Sequence, residues 1–263
     1  MIRLINELKG RSRTRPAQRP ARLRVDLGEE PPEYAIYAIG DVHGCLDLLE
    51  QAEAAVEADV GRSGVAGLVV LLGDYVDRGA QSAKVLNYLS GPARPGTRRL
   101  ALCGNHDDMF LKFLQDPRRH KIWLEMGGRE TLMSYGIASV HSEARITVEA
   151  EAELRLRVPQ EHRDFLAAMP VCARIGPYLF AHAGVRPGVP LEEQSDEDLM
   201  WIREPFISRG PQLPYLLVHG HTPFKSPSIG PSRIGIDTGA YVSGRLTVLK
   251  IHSGNATILP QPK

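Results

Sequence analysis

From Tyr34 onward the chain alternates short apolar runs with amphipathic stretches. "YAIYAIG" has strand length, and "LDLLEQAEAAVEADV" places Leu46, Leu49, Ala52, Val56 and Val60 at helical spacing. "GLVVLLG", "AQSAKVLNYLS" and "RRLALCG" continue as strand, helix and strand. This β-α-β-α-β series predicts an α/β layered fold. Between about Asp107 and Pro170 the chain is richer in helix and charge, with "EMGGRETLMSYG" and "PQEHRDFLAAMP", and predicts a helical insert over one edge of the core. Within it, "EARITVEAEAELRLR" reads as a solvated face or an amphipathic hairpin. Strand-like runs return in "PYLFAHAG", "YLLVHGH", "SRIGIDTG", "LTVLKI" and "ATIL".

The first 33 residues differ. "KGRSRTRPAQRPARLR" packs arginines and prolines together with no periodic apolar face. Such a run buries too little surface to order itself, so 1–33 is expected to be a flexible arm ahead of a catalytic domain at 34–263. It is read as a solvated tail with no specific partner; docking to an acidic protein or anionic surface is the sharper alternative, and ordering against the body of the fold a third.

At 263 residues and 43% hydrophobic content, one substantial domain can bury a full core. A formal net charge of +1 gives no global bias towards nucleic acid. Three scattered cysteines do not form a disulfide framework and suit a reducing compartment, so the cytoplasm is the expected location. No uncharged apolar run approaches the roughly 20 residues that span a bilayer, and "MIRLINELKG" lacks a secretory apolar region.

The informative regularity lies at the strand exits. "AIGDVHG", "LLGDYVDRG", "LCGNHD", "FAHAG" and "VHGH" each end an apolar run in small residues and a side chain able to bind metal. Ligands collect outside the carboxyl ends of strands in open α/β sheets, so five loops point to one site. The candidate ligands are Asp41, His43, Asp74, Asn105, His182 and His221. Oxygen and imidazole donors without cysteine suit manganese, with iron, zinc, nickel or cobalt also compatible. Two divalent ions would bring four positive charges to two carboxylates, leaving a centre that attracts phosphate. Such a centre activates water and holds phosphoryl oxygens for in-line attack. His106 is then the expected proton donor to the leaving group, Asp77 its orienting carboxylate, and Arg78 and Arg203 the phosphate-gripping forks.

In order, "GDVHG", "GDYVDRG", "GNHD", "HAG" and "GHTP" resemble the PPP family of metal-dependent protein phosphatases, within the calcineurin-like metallophosphoesterases. The resemblance runs from about Ile36 to Leu249, and "WLEMGGRETLMSYG" and "LMWIREPF" are similar to its bacterial and phage serine/threonine branch. It implies a β-sandwich flanked by helices with a dimetal site at the strand C-terminal rim. It also implies a first metal on Asp41, His43 and Asp74, and a second on Asp74, Asn105, His182 and His221. Asn105, Arg78 and Arg203 would meet the phosphate, with His106 the acid supported by Asp77. Pro223 stands where many relatives of the wider superfamily carry a second histidine, which leaves the first metal with fewer protein ligands.

His219 starts a full pleat behind His221 and is read as lying outside the ligand set. Tyr241 is read as a core or edge residue, with approach to the site from a late loop as the alternative, Cys45 and Cys103 as small core residues, and His120, His141, His162 and His252 as surface histidines. The expected activity is removal of phosphate from protein serine or threonine by direct attack of a metal-bridging water. Phosphotyrosine, phosphohistidine and small aryl phosphates are further possible substrates. The alternatives are symmetrical hydrolysis of dinucleoside polyphosphates, which "GDVHGCLDLL" also suggests, and a non-catalytic phosphoprotein-binding scaffold.

Overall fold

The computed structural model describes residues 21–137 and 146–260. The first element is a strand within the segment expected to be a flexible arm. β1 (Arg24–Asp26) runs parallel to β5 (Cys172–Ile175), pairing Arg24 with Cys172 and Asp26 with Arg174. That expectation is therefore corrected for the end of the arm, while residues 1–20 lie outside the described residues. The physical reason is tertiary: Arg22 donates from its backbone to Asp196 Oδ2 (2.7 Å), and from its guanidinium to the carbonyls of Leu166 and Met169 and to Asp108 Oδ1 (3.0 Å). No local pattern announces bonds to residues 86 to 174 positions away.

Arg22→Met is expected to lower stability by about 2 kcal/mol, because two carbonyls lose a donor and buried Asp108 loses one of its cations, keeping Lys112. The thermal midpoint should fall by about 4–8 °C in a domain of this size, read by calorimetry.

β2 (Ala35–Ile39), β3 (Gly67–Leu71) and β4 (Thr97–Ala101) run parallel, crossed over by α1 (Leu46–Ser63) and α2 (Ser82–Ser90). This is the predicted β-α-β-α-β series. α3 (Asn105–Gln115), α4 (Gly128–Ser134), α5 (Val148–Arg157) and α6 (Gln160–Ala168) come next. The charged stretch expected as a face or hairpin is thus helical over α5, with Thr147 capping its start by accepting from Ala150 N–H.

β6 (Tyr178–Ala181), α7 (Asp196–Trp201), α8 (Phe206–Arg209), β7 (Leu216–His219), β8 (Ser228–Ile229) and β9 (Arg233–Gly235) lead to α9 (Ala240–Ser243), β10 (Val248–His252) and β11 (Asn255–Ile258). One sheet has the order β1-β5-β6-β7-β9-β8 and the other β11-β10-β2-β3-β4.

Strand alternation explains how the sheets pack. Ile36 and Ala38 of β2 join Val70, Phe180, Val218, Ile234 and Leu249 between the sheets, whereas Tyr37 and Ile39 join the cluster that contains the residues of α1 and α2. All five β2 residues are buried, so the strand reads as an unbroken apolar run. Each large aliphatic side chain buried in this way contributes roughly 1.5–3 kcal/mol. Among the described residues, no helix is long and apolar enough to cross a membrane.

Candidate active site

The candidate residues emerge where β2, β3, β4, β6 and β7 end. Asp41 and His43 follow Ile39, Asp74 follows Leu71, His182 follows Ala181, His221 follows His219, and Asn105 and His106 open α3 after β4. The loops are tightly turned: His43, Asp74, Asp77, Arg78 and His221 all have φ between 43° and 73°. A non-glycine residue there costs roughly 1–2 kcal/mol. Cross-loop bonds hold the conformation, since Val42 and His43 both donate to the Asp74 carbonyl (3.1 and 2.8 Å) and Gly44 donates to that of Tyr75 (2.9 Å). Gly104 is needed for close approach: a Cβ there would lie 2.1 Å from Asp74 Oδ1.

The converging side chains form two clusters, His43–Asp74–His106 and Asp74–His182–His221, each with ligand atoms within 4.8 Å of one another. Asp74 belongs to both. Its Oδ2 lies 3.5 Å from His43 Nε2 and 3.4 Å from His182 Nε2, while Oδ1 accepts the His106 backbone N–H (3.0 Å). Asn105 Oδ1 sits 2.9 Å from both His182 Nε2 and His221 Nδ1. Asp41 is also buried at this rim, and its carboxylate accepts from His221 N–H (3.0 Å to Oδ2).

Tautomers follow from the surroundings. His43 Nδ1–H donates to the Val76 carbonyl (2.9 Å), leaving Nε2 as the lone pair that faces Asp74. Burial, helped by His106 and Arg78 and opposed by Asp74, pushes the His43 imidazole down to about 3. Burial and the charge on His182 do the same to His221, to about 3, with Arg203 adding a smaller effect. For His182 burial also disfavours the charge, but the Asp74 and Asp41 carboxylates outweigh it and raise the imidazole to about 10. Asp74 is correspondingly held well below the carboxylate range: burial opposes this, and His182 and His106 outweigh it.

His106 Nδ1–H donates to Asp77 Oδ2 at 2.7 Å. Arg78 joins this pair to the first cluster, donating to His106 Nε2 (3.2 Å) and His43 Nε2 (3.1 Å). A cation on His43 Nε2 and a guanidinium N–H on the same lone pair exclude each other, so Arg78 would give up this contact if His43 held a metal. Arg203 is exposed. Neighbouring Trp201 stands edge-on to His221, with ring centroids 6.2 Å apart.

A sequence model of the family described as calcineurin-like phosphoesterase matches residues 34–248. This chain belongs to that family. The phosphoesterase is 25% identical to the asymmetrical bis(5'-nucleosyl)-tetraphosphatase PrpE of Anoxybacillus flavithermus, over 81% of this chain and 88% of that one. It is 27% identical to serine/threonine-protein phosphatase 1 of Salmonella typhimurium, over 82% and 91% respectively. A crystal structure described as a candidate diadenosine tetraphosphatase shares its fold, with a TM-score of 0.58 at 22% identity over 91% of this chain and 98% of the other.

The phosphoesterase's two clusters fit a dinuclear divalent-metal site. Their donors are imidazole nitrogens and carboxylate oxygens, and His221 Nε2 is buried without a hydrogen-bond partner. His219 lies outside both clusters: its Nδ1–H donates to the Gly220 carbonyl and its Nε2 accepts from Arg233. The clusters group His106 with His43 and Asp74, whereas the sequence reading grouped Asp41 with them.

Several residues of the phosphoesterase's site were not singled out from sequence. The Asp107 carboxylate accepts from the backbones of Asp74 (2.7 Å), Tyr75 (2.9 Å) and Gly104 (2.9 Å), tying the β3 loop to the start of α3. Burial, then Asp74, lift its carboxyl to about 7. Its position three residues after the Gly104 cap was the available signal. Asp237 is buried beside the site and adds to burial in lifting Asp41 well above the carboxylate range. Tyr241, expected in the core or at an edge, instead stands 5.4 Å from the His43 ring and under Arg78, 42% exposed. His162, expected at the surface, is buried and bonded to the Tyr135 hydroxyl (2.7 Å) because α6 packs it inward; His141 lies outside the described residues.

Proposed function

We propose that this phosphoesterase hydrolyses dinucleoside tetraphosphates. The observation that carries this reading is the likeness to an asymmetrical tetraphosphatase along most of both chains, joined to a site of matching chemistry. Divalent ions held through Asp74, by His43 on one side and by His182 and His221 on the other, would supply Lewis acidity to the phosphoryl group and lower the pKa of water, which leaves His106 Nε2 for the leaving group. Arg78 would take a phosphoryl oxygen, with Arg203 and Asn105 as the further groups that meet the phosphate. Asp77 holds the Nδ1–H of His106, whose Nε2 faces the departing oxygen and gives a proton to any leaving group that needs one.

Beside Arg78 a groove of about 650 Å³, lined by Leu124, Met126, Arg129 and Tyr241, gives a nucleoside room next to the phosphates. Tyr241→Ala is expected to raise KM for diadenosine tetraphosphate about tenfold, through loss of an aromatic stacking face. KM for phenyl phosphate, which does not reach the groove, should change less than threefold.

A second reading, hydrolysis of phosphoserine or phosphothreonine in proteins, is favoured by the buried His106–Asp77 pair. An alkoxide needs a proton to leave, whereas a nucleotide phosphate departs already charged. Purified, manganese-loaded protein offered diadenosine tetraphosphate and phosphopeptides in parallel separates the two. A kcat/KM at least tenfold higher for the dinucleotide is expected; the reverse ratio would transfer the assignment to the phosphopeptide. Paired ADP products would indicate symmetrical cleavage, and ATP with AMP asymmetrical cleavage.

A further inference from the structure

The stretch "WLEMGGRETL" plays no part in the metal clusters or the phosphate contacts, yet its residues close around Asp77. Trp123 lies in the 3-10 turn Lys121–Met126, and its Nε1–H donates to Asp77 Oδ2 at 2.7 Å, the oxygen that also accepts from His106. Thr131, from the middle of α4, donates its hydroxyl to Asp77 Oδ1 at 2.7 Å and accepts the Asp77 backbone N–H at 2.8 Å. Trp123, Thr131 and Asp77 are all fully buried.

The support is rigid. The Trp123 indole is stacked on Phe110 of α3 at 4.9 Å and tilted against Phe113 at 4.7 Å. A Cβ at Gly128 would lie 2.5 Å from the indole, so only glycine lets α4 begin this close to it. The Gly127 carbonyl accepts from Arg78 N–H (3.2 Å), closing the turn onto the same loop. The helix that carries His106 in its first turn therefore also packs, through Phe110 and Phe113, the indole that bonds the same carboxylate as His106.

We propose that Trp123 and Thr131 are positioning residues for proton delivery. They hold the Asp77 carboxylate in the single orientation in which Oδ2 meets His106 Nδ1–H, and so hold His106 Nε2 toward the leaving oxygen. The inference rests on the reading of His106 as the acid. As the P–O bond breaks, its electron pair goes to the leaving oxygen, and the Nε2 proton joins it. Without the Thr131 and Trp123 donors the carboxylate can rotate about its Cβ–Cγ bond, and the imidazole loses its fixed direction.

The test compares p-nitrophenyl phosphate, whose leaving group departs without a proton, with phenyl phosphate, whose leaving group needs one. Wild type, His106→Gln, Thr131→Val, Thr131→Ser and Trp123→Phe are each loaded with manganese and checked for metal content and thermal midpoint. Thr131→Val and Trp123→Phe are expected to keep KM and metal content. They should lose about threefold in kcat on p-nitrophenyl phosphate and about thirtyfold on phenyl phosphate, within the range general acids contribute. Thr131→Ser should restore the phenyl phosphate rate to within about threefold of wild type, since it keeps the hydroxyl. A role in folding alone would lower both rates equally.

If His106→Gln shows the leaving-group dependence and neither Thr131→Val nor Trp123→Phe does, the positioning role is overturned and the acid assignment stands. If His106→Gln itself slows both esters equally, or wild type cleaves neither, the acid assignment fails and the positioning role with it.

Discussion

Asp74→Asn is expected to lower kcat/KM by at least about 10³-fold and to cost the protein both of its divalent ions. Asp74 is the residue common to the two clusters, and its Oδ2 stands between His43 Nε2 and His182 Nε2. Asparagine preserves size but removes the negative charge that holds two cations in a buried site, and its amide offers one oxygen in place of two. The change also frees His182 from the carboxylate that keeps it protonated before metal arrives. Elemental analysis of metal content and steady-state kinetics on the same preparation check the prediction. One ion retained with activity within tenfold of wild type would show that the clusters do not share a bridge.

The second large effect is a steep pH dependence of metal loading. In the metal-free protein His182 is raised to about 10; burial opposes this, and Asp74 and Asp41 outweigh it. A raised folded-state value means that this imidazolium stabilises the metal-free fold fully below its ordinary value, near about 6.5, and that the contribution disappears as pH rises through about 10. A metal ion needs the nitrogen without its proton, so ion and proton compete. Apparent affinity should therefore rise about tenfold per pH unit between pH 6 and 9, one proton leaving as the ion binds. His43 and His221, both pushed down to about 3, are already neutral there and add nothing to the slope. Calorimetric titration with manganese in buffers of different ionisation heat reads the proton count directly. Affinity that stayed flat from pH 6 to 9 would show His182 to be neutral before the ion binds.

The ligand loops were legible because each is a local event: an apolar strand, a tight turn and a polar side chain at its exit. Asp107 was harder to see. A carboxylate at the third position of a helix is usually a cap, and its reach to the Asp74 and Tyr75 backbones depends on two loops meeting. Trp123 and Thr131 lie in a stretch that the sequence marks only by resemblance, and their bonds to Asp77 depend on residues 46 and 54 positions away. β1 is only three residues long, and its pairing with β5 comes from a segment nearly 150 positions away. His162 shows the same limit, since a histidine in a charged helix carries no mark of the face that will be buried.

The sequence by itself determined the layered α/β fold, the five loops that meet at one rim and the donor types suited to divalent metal, because alternation and strand-exit chemistry are encoded within a few neighbouring residues. Only the tertiary structure decided that Arg78 covers the lone pairs of His43 and His106, that Asp107 ties the β3 loop to α3, and that Trp123 and Thr131 bond Asp77. Those facts depend on distances of about 3 Å between residues up to 54 positions apart. Such distances are set by how the sheets and helices pack, and no local pattern records them.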